Sequence, residues 1–145
     1  MALQGPIPVE FGAVFPGGAY AAGKIEMVRD FDRSQGDRVV QQADKHTGLP
    51  LWVVEVIDAD PEARQRTVKV KVAAQVQPVL PPAPPGSPFT AVEFDGLTVT
   101  PYTDSGRCQG KGKCGARQAY SLKATGVRAP TRGVTRPVPE HKDAA

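Results

Sequence analysis

The sequence predicts a small all-β domain. Three observations carry that expectation. Thr67-Val-Lys-Val-Lys-Val72 alternates apolar and charged residues without a fault, the period of a half-buried strand. Asp95-Gly96 divides two apolar alternating runs, Phe89–Phe94 and Leu97–Tyr102, which is a type I′ hairpin signal. Fifteen glycines and fifteen prolines among 145 residues fit many short strands with turns rather than long helices. Five or six strands in meander order suggest an OB-like barrel, with an open β-sandwich as the alternative, because a short all-β chain must manage its edges.

Residues 1–18 are rich in Pro and Gly and read as an N-terminal arm that packs Phe11 and Phe15 on the domain or stays free. A single β domain is expected over 19–128. Ala19 to Phe31 reads as a long strand, with Ala21, Ala22 and Gly23 leaving room for a bend or a close backbone approach, and a bulge near Val28. Ser34–Asp37 and Asp44–Gly48 are turn signals on either side of a short extended segment at Val39-Val40. Leu49–Ile57 is the most apolar run, β-branched and short, as expected of a strand buried largely on both faces, with Trp52 in the core. The chain turns at Asp58–Gln65, where Asp60 before Pro61 is suited to cap one helical turn. In the next strand Val68, Val70 and Val72 face inward. Lys69 and Lys71 face out, either lining a binding face or guarding an edge strand.

Residues 78–88 hold six prolines and read as a stiff polyproline-like crossover. After the Asp-Gly hairpin comes a cationic glycine loop, 105–117, with Arg107, Lys111, Lys113, Arg117, four glycines and no acid. Ala119–Ala124 alternates again, placing Tyr120, Leu122 and Ala124 on one face. Residues 129–145 read as a disordered basic tail.

Charge is unevenly placed. Residues 1–104 carry nine Lys/Arg against thirteen Asp/Glu, a balance of −4, whereas 105–145 carry nine against two, a balance of +7. Such asymmetry points to an anionic partner, or to a tail kept soluble by charge. Cys108 and Cys114 are the only cysteines, and their C-x5-C spacing lies outside that of zinc fingers, so no metal is expected. No hydrophobic run is long enough for a membrane span, and the N-terminus lacks the blocks of a signal peptide, which makes the cytoplasm the expected location.

Nothing in the chain matches a nucleophile elbow, a zincin helix or a P-loop, and Gly110-Lys-Gly112 has no helix after it. No catalytic residue or cofactor is therefore expected. Asp44, Asp58 and Asp60 read as turn formers. The features that remain are those of nucleic-acid binding: cations that follow a phosphate backbone and aromatic faces that stack on bases. The candidate residues are Lys69, Lys71, Arg107, Lys111, Lys113, Arg117 and Lys123 for charge, with Tyr102 and Tyr120 for stacking. Tyr20, Phe31 and Trp52 are further aromatics, most of them expected in the core. With no helix-turn-helix legible, single-stranded or distorted DNA is favoured over groove readout.

Several short segments occur in a particular order: Ala19-Tyr-Ala, Val28-Arg-Asp-Phe31, Asp44–Gly48 with Trp52, Val56–Pro61, Pro88-Phe89, Val92–Tyr102 and Ala124-Thr-Gly126. In that order, over about Phe11 to Pro130, the chain resembles the plasmid replication, integration and excision activators of actinomycete mobile elements. The resemblance implies a non-enzymatic regulator encoded by an integrative conjugative element. It would act on replication and on integration and excision, alongside element-encoded replication or transcription proteins. The alternative function is an adaptor that recruits such proteins through its sheet edge without touching DNA. The Cys108–Cys114 segment is not part of the resemblance.

Overall fold

The computed structural model describes residues 1, 2, 4–106, 112 and 115–131. Over these residues the chain forms one mixed nine-stranded sheet and a single helical turn. The elements are β1 (Ile7–Pro8), α1 (Phe11–Val14), β2 (Ala19–Ala22), β3 (Glu26–Met27), β4 (Leu51–Asp58), β5 (Thr67–Ala73), β6 (Phe89–Asp95), β7 (Thr98–Asp104), β8 (Arg117–Ala124) and β9 (Gly126–Arg128). The sheet runs β1-β7-β8-β5-β4-β2-β6-β9, with β3 as an additional partner of β4. The all-β class is as expected. The sheet is not closed, and an open cavity of about 460 Å³ lies between its two ends, lined by Pro8 on one side and Arg128 on the other.

All pairs are antiparallel except β5 with β8. The core lies on one face. Ala19 and Ala21, Val54 and Val56, Val70 and Val72, Val92 and Phe94, and Leu122 and Ala124 are all buried there. Removing each of the large ones from water contributes about 1.5–3 kcal/mol. Residues 7–18 are built into this unit. Phe15 is buried at 5.3 Å from Phe11 and 6.4 Å from Phe94, tilted rings that cap the core beside α1.

Four expectations change. The 19–31 strand breaks at Gly23, whose φ of +91° is the left-handed conformation glycine adopts readily. Beyond β3 the backbone runs as an irregular ladder, with Val28 accepting from the Gln42 amide and the Asp30 amide donating to Val40. β4 is not buried evenly on both faces: Val54 and Val56 are inside, whereas the other face has Leu51 buried, Val53 and Ile57 half-buried and Glu55 exposed, and Trp52 is half-buried with Nε1 donating to the Ala74 carbonyl at 3.0 Å. The Asp60-Pro61 segment forms a turn and no helix, with Asp60 Oδ1 accepting from the Glu62 amide.

The fourth change is the largest: β6 and β7 do not pair, so the strands are not in meander order. β6 bonds to β2 and β9, and β7 to β1 and β8. A type I′ turn requires positive φ at both central residues, but among the described residues only glycines have it, so Asp95 does not. Gly96 is left-handed (φ +58°), as its turn signal suggests. The Asp95 carbonyl instead accepts from the Thr125 amide at 2.8 Å, and Leu97 is buried. The chain therefore turns a corner from one end of the sheet to the other.

Among the described residues, no helix is long and apolar enough to cross a membrane. Cys108, Gly110, Cys114 and the tail from 132 onward, for which the sequence suggests a metal-free cationic loop and a basic disordered end, lie outside the described residues.

The corner has a measurable signature. A Cβ at Gly96 would lie 2.5 Å from Thr125 Oγ1, whereas one at Gly86 (φ +77°) would meet open space. Both substitutions place a side chain in the left-handed region, at a cost of roughly 1–2 kcal/mol. Gly96→Ala is expected to lower stability by at least about 1 kcal/mol more than Gly86→Ala, read from urea midpoints. Equal losses would show that Thr125 does not press on the corner.

Candidate nucleic-acid interface

The pairing registers decide which candidate residues share a surface. On β5, Val70 and Val72 point into the core, so Lys69 and Lys71 point out. β8 covers that side of β5 only from Val70 to Val72, so Lys71 does not guard a sheet edge, whereas Lys69 stands at the uncovered start of the strand. Lys71 stands beside Lys123 in the parallel ladder. Across β7–β8, Lys123 faces Thr98, Ser121 faces Thr100, Ala119 faces Tyr102, and Arg117 faces Asp104. Side chains alternate along a strand, so Lys69, Lys71, Tyr102, Arg117 and Lys123 all lie on the outer face of β5, β8 and β7. Thr98, Thr100 and Ser121 share that face; the Thr98 hydroxyl donates to the Lys123 carbonyl at 3.2 Å, while those of Thr100 and Ser121 are of the kind that bond phosphate oxygens.

Tyr120 belongs to the opposite face. It pairs with Pro101 and has the parity of buried Leu122, yet it is 59% exposed, because the outer half of β8 has run past the core. Tyr102, at 51% exposure, projects from the other side of the same two strands. The two tyrosines therefore do not form one stacking platform.

The cations differ in availability. Lys69 is exposed and Lys71 half-buried, and neither takes part in an ion pair among the described residues. Arg117 meets Asp104 only at 3.8 Å, with both side chains well exposed, an arrangement worth little in water. Lys123 is committed: its Nζ donates to Asp44 Oδ1 at 2.7 Å, and the Asp44 side chain is 5% exposed. Thr47 Oγ1 donates to the other carboxylate oxygen at 2.8 Å. Burial pushes the Asp44 carboxyl up, but the Lys123 and Thr47 hydrogen bonds, the Lys123 charge and the His46 backbone amide outweigh it and hold the group at about 2. Lys123 thus fastens the 44–48 turn over one end of the outer face. Arg107, Lys111 and Lys113 lie outside the described residues.

Of the remaining aromatics, Tyr20 is half-buried between Ile57 and Ala91, and Trp52 packs against the core. Phe31 is 78% exposed and carries the Arg29 guanidinium 5.5 Å from its ring centroid. Sequence reasoning missed Asp44 as a charge partner and the three hydroxyls of the outer face. Alternation in Thr98-Val-Thr100 hints at the hydroxyls, but only the register joins them to Ser121 and the lysines. Seventy-nine residues separate Asp44 from Lys123, and nothing local marks the pair.

No family model, curated protein or solved structure matches the chain.

The ion pair sets a pH dependence. The folded pKa of Asp44 lies below its ordinary value of 3.8, so the pair's contribution is fully present above about pH 4 and is lost as pH falls toward 2. Asp44→Asn is expected to cost roughly 2 kcal/mol at neutral pH, with the difference from the parent closing between pH 4 and 2 in urea titrations. A difference that stays constant over that range would remove the ionised pair from the account.

Proposed function

We propose that this protein is a non-enzymatic, cytoplasmic DNA-binding regulator whose contact surface is the outer face of β5, β8 and β7. The observation that carries the reading is the gathering of Lys69, Lys71, Arg117 and Tyr102 with Thr100 and Ser121 on one face of three adjacent strands. Phosphate groups need cations and neutral donors at strand-like spacing, and this face supplies both. The segment that joins β7 to β8 adds three cations in sequence, Arg107, Lys111 and Lys113. The resemblance to replication, integration and excision activators supports a role on the DNA of a mobile element, together with element-encoded replication or transcription proteins.

The adaptor reading has its own support. Phe31, Val39 and Met27 are large apolar residues exposed on or beside the 28–42 excursion, the type of surface that partner proteins cover.

A salt titration tests the DNA reading. With about four phosphate contacts, single-strand affinity falls on a log–log plot with a slope of roughly −3. Lys69→Ser/Lys71→Ser/Arg117→Ser is expected to weaken binding to all sequences alike and to flatten that slope by about 2, with circular dichroism unchanged. A triple variant that binds as the parent does at several salt concentrations would place the contact elsewhere. A parent that binds no DNA at low salt would leave the adaptor reading.

A further inference from the structure

From Val72 to Val92 the chain carries no charged residue, the longest such stretch in a sequence of which 23% is Asp, Glu, Lys or Arg. Most of this stretch is the link between β5 and β6, with six prolines from Pro78 to Pro88. One side of the link is fastened to the domain. The Ala74 amide donates to the Pro50 carbonyl at 3.1 Å, and the Ala74 carbonyl accepts from Trp52 Nε1. Gln77 Nε2 donates to the Ile25 carbonyl at 2.8 Å, and Leu80 packs against the core. Farther on, the Thr90 hydroxyl donates to the Pro82 carbonyl at 3.4 Å. The Ser87 amide donates to the Pro84 carbonyl at 3.1 Å and closes a turn at Pro85-Gly86, where Gly86 has a φ of +77°.

Between these fastenings the sequence restricts the backbone. Proline holds φ at about −65°, and Leu80, Pro81, Ala83 and Pro84 each precede a proline, which keeps them out of the helical region. Among the described residues, 77–83 make no backbone-to-backbone hydrogen bond. These restraints specify a polyproline II rod, with about three residues per turn and 3.1 Å per residue. The threefold period is visible in the surroundings. Gln77 and Leu80 reach the body of the domain, whereas Val79, Pro82 and Pro85 form a row that stands in solvent, with Val79 85% exposed. That row is roughly 19 Å long.

What the row can bind follows from its chemistry. Without charge it has nothing to offer a phosphate backbone. Of the five residues from Pro81 to Pro85 only Ala83 has an amide N–H, so an added strand would find almost no donors. What it presents is a stiff apolar surface and open carbonyls. Tyrosine and tryptophan suit both, because their rings pack on proline and valine while their O–H and N–H donate to carbonyls. With the link fastened at Gln77, Leu80 and Pro82, little freedom is left to lose on binding.

We propose that the Val79–Pro82–Pro85 row docks into an aromatic-lined groove on a partner protein as a polyproline II ligand. This surface is independent of the DNA-binding reading and is recognised by shape and rings, where the outer face of β5, β8 and β7 is recognised by charge.

The test titrates the full chain with isolated SH3, WW and EVH1 domains, three kinds of groove that accept such ligands. At least one is expected to bind more tightly than about 1 mM. Val79→Ser/Pro82→Ser is expected to weaken that binding at least about tenfold, as the loss of two central apolar contacts should. Pro88→Ser removes an exposed proline beyond the turn and is expected to leave binding unchanged. None of these three side chains packs in the core or carries charge, so circular dichroism and DNA affinity are expected to match the parent in both variants. No binding by any of the three domain types, a Val79/Pro82 variant that binds as the parent does, or equal losses from both variants would overturn the docking row. None of those results would touch the DNA-binding reading.

Discussion

Three residue pairs, Val70–Leu122, Lys71–Lys123 and Val72–Ala124, join the β7–β8 ribbon to the rest of the sheet. They make up the only parallel pairing in the described fold, and it comes after about fifty residues of intervening chain. Such a ladder has few hydrogen bonds and a large loop to close, so side chains must hold it. On the inner face Val70, Val72, Leu122 and Ala124 are buried together. On the outer face Lys123 reaches Asp44 in the turn before β4. The apolar contact does not titrate, whereas the ionic one is lost as pH falls below about 4. The attachment of the ribbon thus combines a core contact with a charge contact that specifies position.

That arrangement accounts for how the site is divided. The inner face must be apolar where the sheet is packed, and it ceases to be so where the ribbon leaves the core, which is why Tyr120 has core parity but stands in solvent. On the outer face the cations differ in what they are free to meet. Lys69, Lys71 and Arg117 are open, while Lys123, of the same type and on the same face, is occupied by a structural partner. One lysine in a row of apparent phosphate contacts is therefore a fastening of the fold, and its substitution would damage the platform rather than one contact on it.

Local patterns in the sequence were reliable guides to strands and turns. The inward valines of β5, the Tyr120–Leu122–Ala124 face, the Gly36 turn, where Gln35 bridges Arg38, and the packing of Phe11 and Phe15 are all legible from alternation and composition. Pairing between strands was not. Asp95-Gly96 carries the turn signal of a hairpin, and its glycine is left-handed, but the choice of partners for β6 and β7 is made by β2, β8 and β9. The same limit explains the lysines: whether Lys69 and Lys71 guard an edge depends on where β8 lies, and no residue of β5 records that. It also explains Asp44, which reads as a turn former and is one, while its carboxylate serves a strand 79 positions away.

The open sheet ends on very short strands, Ile7–Pro8 at one side and Gly126–Arg128 at the other. A free edge normally offers a row of unpaired amides and carbonyls to any extended chain, and long flat edges seed aggregation. Here the short end strands cover only part of their neighbours: β1 reaches β7 at Thr98 and Val99 alone, and β9 reaches β6 only from Glu93 to Asp95. Among the described residues, the side of β7 from Thr100 to Asp104 is left open, interrupted by Pro101, which has no amide to donate. An added strand would meet the sheet along that stretch, and Pro101 limits the ladder it could form.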